Sequence, residues 1–147
     1  MVCLGNICRS PMAQGILEKK VSEQKLDWIV DSAGTSAYHR GEAPDSRAIE
    51  TAQAHGIDIS GQRSRQLLQQ DIGEYDLIVT MDTNNYNNTL KLAVTDSEKA
   101  KVKLLLNYSH PKENRAVPDP YYSGGFDYVY SLIEEAIIAM ITDINRE

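Results

Sequence analysis

The chain has 147 residues, 41% of them hydrophobic, with 15 Lys and Arg against 21 Asp and Glu for a formal charge of −6. That is the size of one ordinary domain, long enough to bury about two-thirds of its unfolded surface, and the balance is that of a globular chain. An acidic surface suits the nucleic-acid backbone poorly and no apolar run approaches the ~20 residues that cross a bilayer, so no nucleic acid or membrane partner and a cytoplasmic location are expected.

No repeat, linker or leader interrupts residues 1–147, which read as one domain. Only Met1 and Val2 precede Cys3, so the first strand is expected to be truncated or unusually short. Ser10-Pro11 has the form of a helix start, with proline where a missing N–H costs nothing, and Met12, Ile16, Leu17 and Val21 continue a helical stripe. The run 26–34 reads as a strand entering a small-residue loop, and 43–57 as a helix with Asp45 or Ser46 near its cap and Gly56 at its end. The apolar run 75–81 is a strand covered on both faces. A helix over 83–93 and a strand over 101–108 follow. Val129, Leu132, Ile133, Ala136, Ile137, Met140, Ile141 and Ile144 recur at three- and four-residue steps, which predicts a long closing helix. Strands alternating with helices make an α/β protein with a parallel sheet, whose ligands bind beyond the carboxyl ends of the strands.

The segment VCLGNICRSP (2–11) holds both cysteines. In a reducing compartment both are expected as free thiols. A lone cysteine is most simply a small core residue, but the neighbours here favour chemistry. Gly5 permits a positive φ and Asn6 is the non-glycine residue that tolerates one best. Such a turn points successive N–H groups at one centre, the following helix adds its N-terminal donors, and Arg9 supplies a fork matched to two phosphate oxygens. The loop Leu4, Gly5, Asn6, Ile7 and Cys8 is therefore read as an oxyanion cradle. Thiols in such surroundings ionise more easily and become nucleophiles. Cys3, at the strand end, is the one placed for that, with Ser10 able to donate to its sulfur.

The pattern C-x5-R-S followed by proline resembles the phosphate-binding loop of the low-molecular-weight protein tyrosine phosphatases. DSAGTS (31–36), AHGI (54–57), YDLIVTMD (75–82) and VPDPYY (117–122) extend the resemblance over nearly the whole chain. It implies a single-domain α/β fold, a four-stranded parallel sheet with helices on both faces and the loop between first strand and first helix. It implies hydrolysis of phosphotyrosine in proteins through a cysteinyl-phosphate, with Cys3 as nucleophile and Arg9 and the loop amides binding phosphate. Asp119 is then the general acid and, in the second step, the base. Its own setting agrees, because flanking prolines hold one carboxyl group at a fixed reach, although an isolated Asp-Pro is more often a plain turn. The resemblance gives Ser32 the task of holding Asn6, and Asp82 that of supporting the loop. Tyr38, Tyr121 and Tyr122 become walls of an aromatic slot too deep for phosphoserine. It implies no cofactor or metal, a monomer, and tyrosine-phosphorylated proteins, inorganic phosphate or oxyanion analogues as partners. His39, His55 and His110 show no ligand spacing, and His55 reads as a helix-end residue.

Cys8, five positions after Cys3, is read as a partner that captures a peroxide-generated sulfenic acid as a disulfide, with packing beneath the loop as the plainer alternative. Gln62 stands where related proteins commonly carry histidine. Three rivals differ in class or chemistry. Arsenate reductases on this scaffold need downstream cysteines that this chain lacks. Protein-arginine phosphatases tend to carry threonine in place of Ile7 and a less aromatic continuation than Tyr121-Tyr122. A catalytically impaired phosphate-binding relative would bind without turnover.

Overall fold

The computed structural model describes residues 1–146. Its frame is a wholly parallel sheet of four strands, β1 (Val2–Cys3), β2 (Ala33–Gly34), β3 (Ile78–Thr80) and β4 (Val102–Leu104), in the order β2-β1-β3-β4. Helices α1 (Arg9–Glu23), α2 (Ser46–Ala54), α3 (Gln69–Glu74), α4 (Thr83–Leu90), α5 (Asp96–Lys99), α6 (Pro120–Ser123) and α7 (Phe126–Asn145) complete the chain. Alternation along the strands sends side chains to two cores. Cys3, Val79 and Met81 join Met12, Ile16, Ile133, Ile137 and Met140 of α1 and α7 on one face. Val2, Ile78 and Val102 meet Ile72 and Ala93 on the other. Helices therefore cover both faces, as the resemblance implied.

Three strands are shorter than the apolar runs predict. Of 26–34 only Ala33–Gly34 pairs as a strand, of 75–81 only Ile78–Thr80, and 101–108 turns after Leu104 into a 3-10 turn over Leu105–Asn107. The first has a plain cause: β1 registers only Val2 against Ala33 and Cys3 against Gly34, and a parallel ladder needs a neighbour, so the chain before Ala33 has no β1 residue to pair with. The start of β3 is set on its other side, where Ile78 is its first residue in register with β4, against Val102. A groove lined by Trp28, Val30 and Leu77 opens below Met1. The last rungs above it are Ala33 N–H donating to the Met1 carbonyl and the Met1 amine donating to the Asp31 carbonyl, both at 3.0 Å. Burial lowers that amine from its ordinary 8.0 to about 6.

The helices follow their signals more closely. Asp45 caps α2, its carboxylate accepting from Arg47 N–H at 2.9 Å, and Gly56 follows at φ 79°. The closing helix is longer than its stripe, with Gly125 at φ 74° immediately before it. None of the described helices is long and apolar enough to cross a membrane.

Candidate active site

The loop 4–8 leaves β1 where the strand order reverses, with β2 on one side and β3 on the other. This is the switch point at which open α/β sheets receive their ligands. Asn6 takes the left-handed conformation at φ 58°. Gly5 does not, contrary to the expectation, and its missing side chain serves space instead. A Cβ there would lie 2.9 Å from Cδ2 of His39, whose ring lies over the loop. Gly34 plays the same part from below: a Cβ on it would stand 2.8 Å from the Leu4 carbonyl oxygen and 3.1 Å from Asn6 N.

Four loop carbonyls are held from outside. Cys3 O accepts from Thr35 N–H at 3.0 Å, Leu4 O from Ser36 N–H at 2.9 Å, Gly5 O from the Ser64 hydroxyl at 2.9 Å, and Ile7 O from Asp45 N–H at 2.8 Å. In a trans peptide the C=O and the following N–H point opposite ways, so carbonyls drawn outward turn amides inward. Asn6 N–H accordingly points at Cys3 Sγ, 3.3 Å away. The Ser10 hydroxyl lies 3.0 Å from the same sulfur. Because its oxygen accepts from Asn6 Nδ2 at 2.7 Å, its hydrogen is left to aim at Sγ. Asn6 Nδ2 also donates to Ser32 Oγ at 3.0 Å, and Ser32 in turn donates to Gln14 Oε1 at 2.6 Å. Negative charge on Cys3 thus meets two donors and the start of α1.

Arg9 is buried, 2% exposed. Its Nη1 donates to Asp82 Oδ2 at 2.8 Å and to the Val117 carbonyl at 2.9 Å, and its Nη2 lies 3.5 Å from Asp119 Oδ2. The other oxygen of Asp82 accepts from Asn85 N–H at 2.8 Å, so one carboxylate both caps α4 and clamps the arginine. Asp119 is extended, φ −86° and ψ 108°, and caps the short α6 with Pro120 in its first turn. The proline-flanked segment is thus a stiff approach to a helical turn rather than extended throughout.

A strut joins the loop after Cys3 to the segment bearing Asp119. Asp45, whose backbone holds Ile7, grips Arg47 through Nε and Nη2, both at 3.0 Å, and Arg47 Nη2 donates to the Tyr121 carbonyl at 3.2 Å. The guanidinium also lies 4.8 Å over the Phe126 ring. Its hydrogen bonds hold the Asp45 carboxyl below the usual range. Around the mouth stand Tyr38, His39, Tyr121 and Tyr122, with ring centroids 4.8 Å apart for Tyr38 and His39, 6.0 Å for His39 and Tyr121, and 4.9 Å for the two adjacent tyrosines. Leu4 is exposed at the rim, while Ile7 and Cys8 are buried. Burial, reinforced by Asp45 and Cys3, pushes the Cys8 thiol far up, so it stays protonated near neutrality.

Of the other residues singled out, Gln62 donates from Nε2 to the Pro11 carbonyl at 3.1 Å, and its buried Oε1 has no partner among the described residues. His55 caps the end of α2 and stacks on Tyr130 at 3.9 Å, while His110 sits beside Ser109. Sequence reasoning missed Gln14, His39, Ser64, Arg65 and the bridging part of Asp45 and Arg47. Gln14 lies one helical turn after Ser10, which was a readable signal. Arg65 holds Asn6 Oδ1 through its backbone N–H at 3.1 Å, a contact any residue type but proline can make.

A match to the family described as low molecular weight phosphotyrosine protein phosphatase runs over residues 1–147. A Synechocystis relative provisionally named as such a phosphatase is 41% identical over 150 residues, covering 99% of this chain and 95% of its own. The crystal structure of YfkJ from Bacillus subtilis superposes with a TM-score of 0.92 at 35% identity, covering 99% of this chain and 92% of that one. That of a Drosophila arginine phosphatase gives 0.90 at 34% identity, with 97% and 94% covered.

Proposed function

From the premise that the chain belongs to the low molecular weight phosphotyrosine protein phosphatase family, we propose that it hydrolyses phosphotyrosine in proteins by two displacements at Cys3. In the first, Sγ attacks phosphorus, the phosphorus–phenol oxygen bond breaks, and Asp119 gives its proton to the departing phenolate. In the second, water attacks the cysteinyl-phosphate, Asp119 takes the proton from that water, and the S–P bond breaks to release phosphate. Arg9 and the inward amides of residues 4–8 hold the phosphoryl oxygens, and charge spread over those oxygens is what such donors stabilise. Ser10 stabilises the sulfur as attacker and as leaving group. Asp82 holds Arg9 in place, and Ser32 holds Asn6. Tyr38, Tyr121 and Tyr122 flank the substrate ring.

The observation that carries this reading is the convergence on one sulfur, with Ser10 Oγ at 3.0 Å and Asn6 N at 3.3 Å, at the start of the loop whose far end carries Arg9, with Asp119 3.5 Å from that guanidinium. Tyrosine rather than arginine is favoured by Ile7 in the loop and by the paired tyrosines after Pro120. The test is pre-steady-state release of p-nitrophenol from its phosphate. The parent shows a burst. Cys3→Ser loses turnover by about four orders of magnitude or more, the scale on which losing a covalent nucleophile is felt, yet still binds phosphate. Phosphate binding with no release of p-nitrophenol by the parent would make it a non-turnover relative. Faster turnover of a phosphoarginine peptide than of its phosphotyrosine counterpart would move it to arginine.

A further inference from the structure

We infer that Ser64 is a positioning residue for the anion cradle: its hydroxyl latches the Gly5–Asn6 peptide so that Asn6 N–H faces the Cys3 sulfur. This rests on the reading of Cys3 and its loop proposed above. Of the four outward carbonyls, those of Cys3, Leu4 and Ile7 are held by backbone N–H groups, which no substitution short of proline removes. The Gly5 carbonyl alone is held by a side chain, Ser64 Oγ at 2.9 Å.

That peptide is also the one with most reason to turn over. It joins a glycine, free to rotate, to an asparagine at φ 58°. A flip of the Gly5–Asn6 plane would return Asn6 to negative φ, the region its backbone prefers. It would also aim the Gly5 carbonyl, in place of the Asn6 N–H, at the sulfur and at any bound oxyanion. An acceptor would then stand where a donor is needed. The Asn6 side chain is fixed by Arg65, Ser10 and Ser32, but those bonds leave the peptide plane before it free.

Ser64 is built to resist that rotation. It is 4% exposed, and its backbone is clamped on both sides to the turn at 41–42. Its N–H donates to Glu42 O at 2.8 Å, and its carbonyl accepts from Gly41 N–H at 2.8 Å. The hydroxyl therefore reaches Gly5 from a fixed base.

The test is Ser64→Ala, which removes one oxygen and is expected to fold, checked by its melting curve. Vanadate and inorganic phosphate should inhibit it about 3- to 10-fold more weakly than the parent, the size of one net hydrogen bond. Iodoacetate should alkylate Cys3 more slowly by a similar factor at fixed pH. Ser64→Cys, with a weaker donor, should fall between Ala and parent. Inhibition and alkylation both within about 1.5-fold of the parent, whether or not the melting temperature falls, would overturn the latch. Failure of the underlying reading would look different: in the parent itself, Cys3 would react no faster than Cys8 and phosphate would not protect it.

Discussion

The two ends of β1 are adjacent residues and are finished to opposite degrees. At the carboxyl end, four loop carbonyls have outside donors, two glycines give way for close neighbours, and Asn6 is held through both its side-chain oxygen and nitrogen. At the amino end, a charged-type terminus sits inside the sheet and a groove stands between residues 28–30 and Leu77. Hydrogen bonds have been concentrated where a reacting group must be held within fractions of an ångström.

That contrast can be broken from the ordered end first. Asp119→Asn keeps the cap on α6 but removes the carboxyl proposed as proton donor, and kcat for phosphotyrosine peptides should fall about 10²- to 10⁴-fold, measured by phosphate release. The loss should shrink for phenols that leave readily without a proton. Gly34→Ala places a methyl group against the Leu4 carbonyl and Asn6 N. The loop must then move, and kcat/KM should drop about 10²-fold, the cost of a displacement near 1 Å. A variant as active as the parent would show that the loop does not depend on this contact.

The open end yields smaller effects of opposite sign. Placing Val-Leu-Phe ahead of Val2 fills the groove and supplies partners to the chain on both sides. The melting temperature should rise by about 5 °C, given roughly 2–4 °C per kcal/mol at this size, with kcat unchanged. Of similar size is a pH effect of the Met1 amine. It sits near 6 when folded against 8.0 when free, so between these values the unfolded chain carries a proton that the folded one lacks. Stability is therefore full above about pH 8 and declines as pH falls to 6, by roughly 2 kcal/mol at most, seen in urea melts at the two pH values. The extended chain has an amide there, and its slope should be absent.

Legibility followed the same division. The closing helix was readable because twenty residues carry their own period, and Cys3, Arg9, Ser10 and Asp119 because their spacing lies within short runs of sequence. The run 26–32 was misread as a strand because pairing depends on how long a distant neighbour is. Short α5 carried a signal that went unread: Thr95 and Glu98 form a reciprocal capping box, with bonds of 3.1 and 3.2 Å. Thr35, Ser36, Asp45 and Arg65 support the loop through backbone groups, which leave no mark in residue identity. Gly5 shows the reverse: the residue was noticed, but the reason for it lay in His39, thirty-four positions away.

The Asp45–Arg47 strut has a further consequence. It ties the segments bearing Cys3 and Asp119 to one third segment, so the folded chain itself holds the two at a set spacing. On the proposed mechanism selectivity falls to Tyr38 and Tyr122, which protrude 84% and 80% exposed, and such tips form an exchangeable faceplate that can diversify without disturbing the strut behind it.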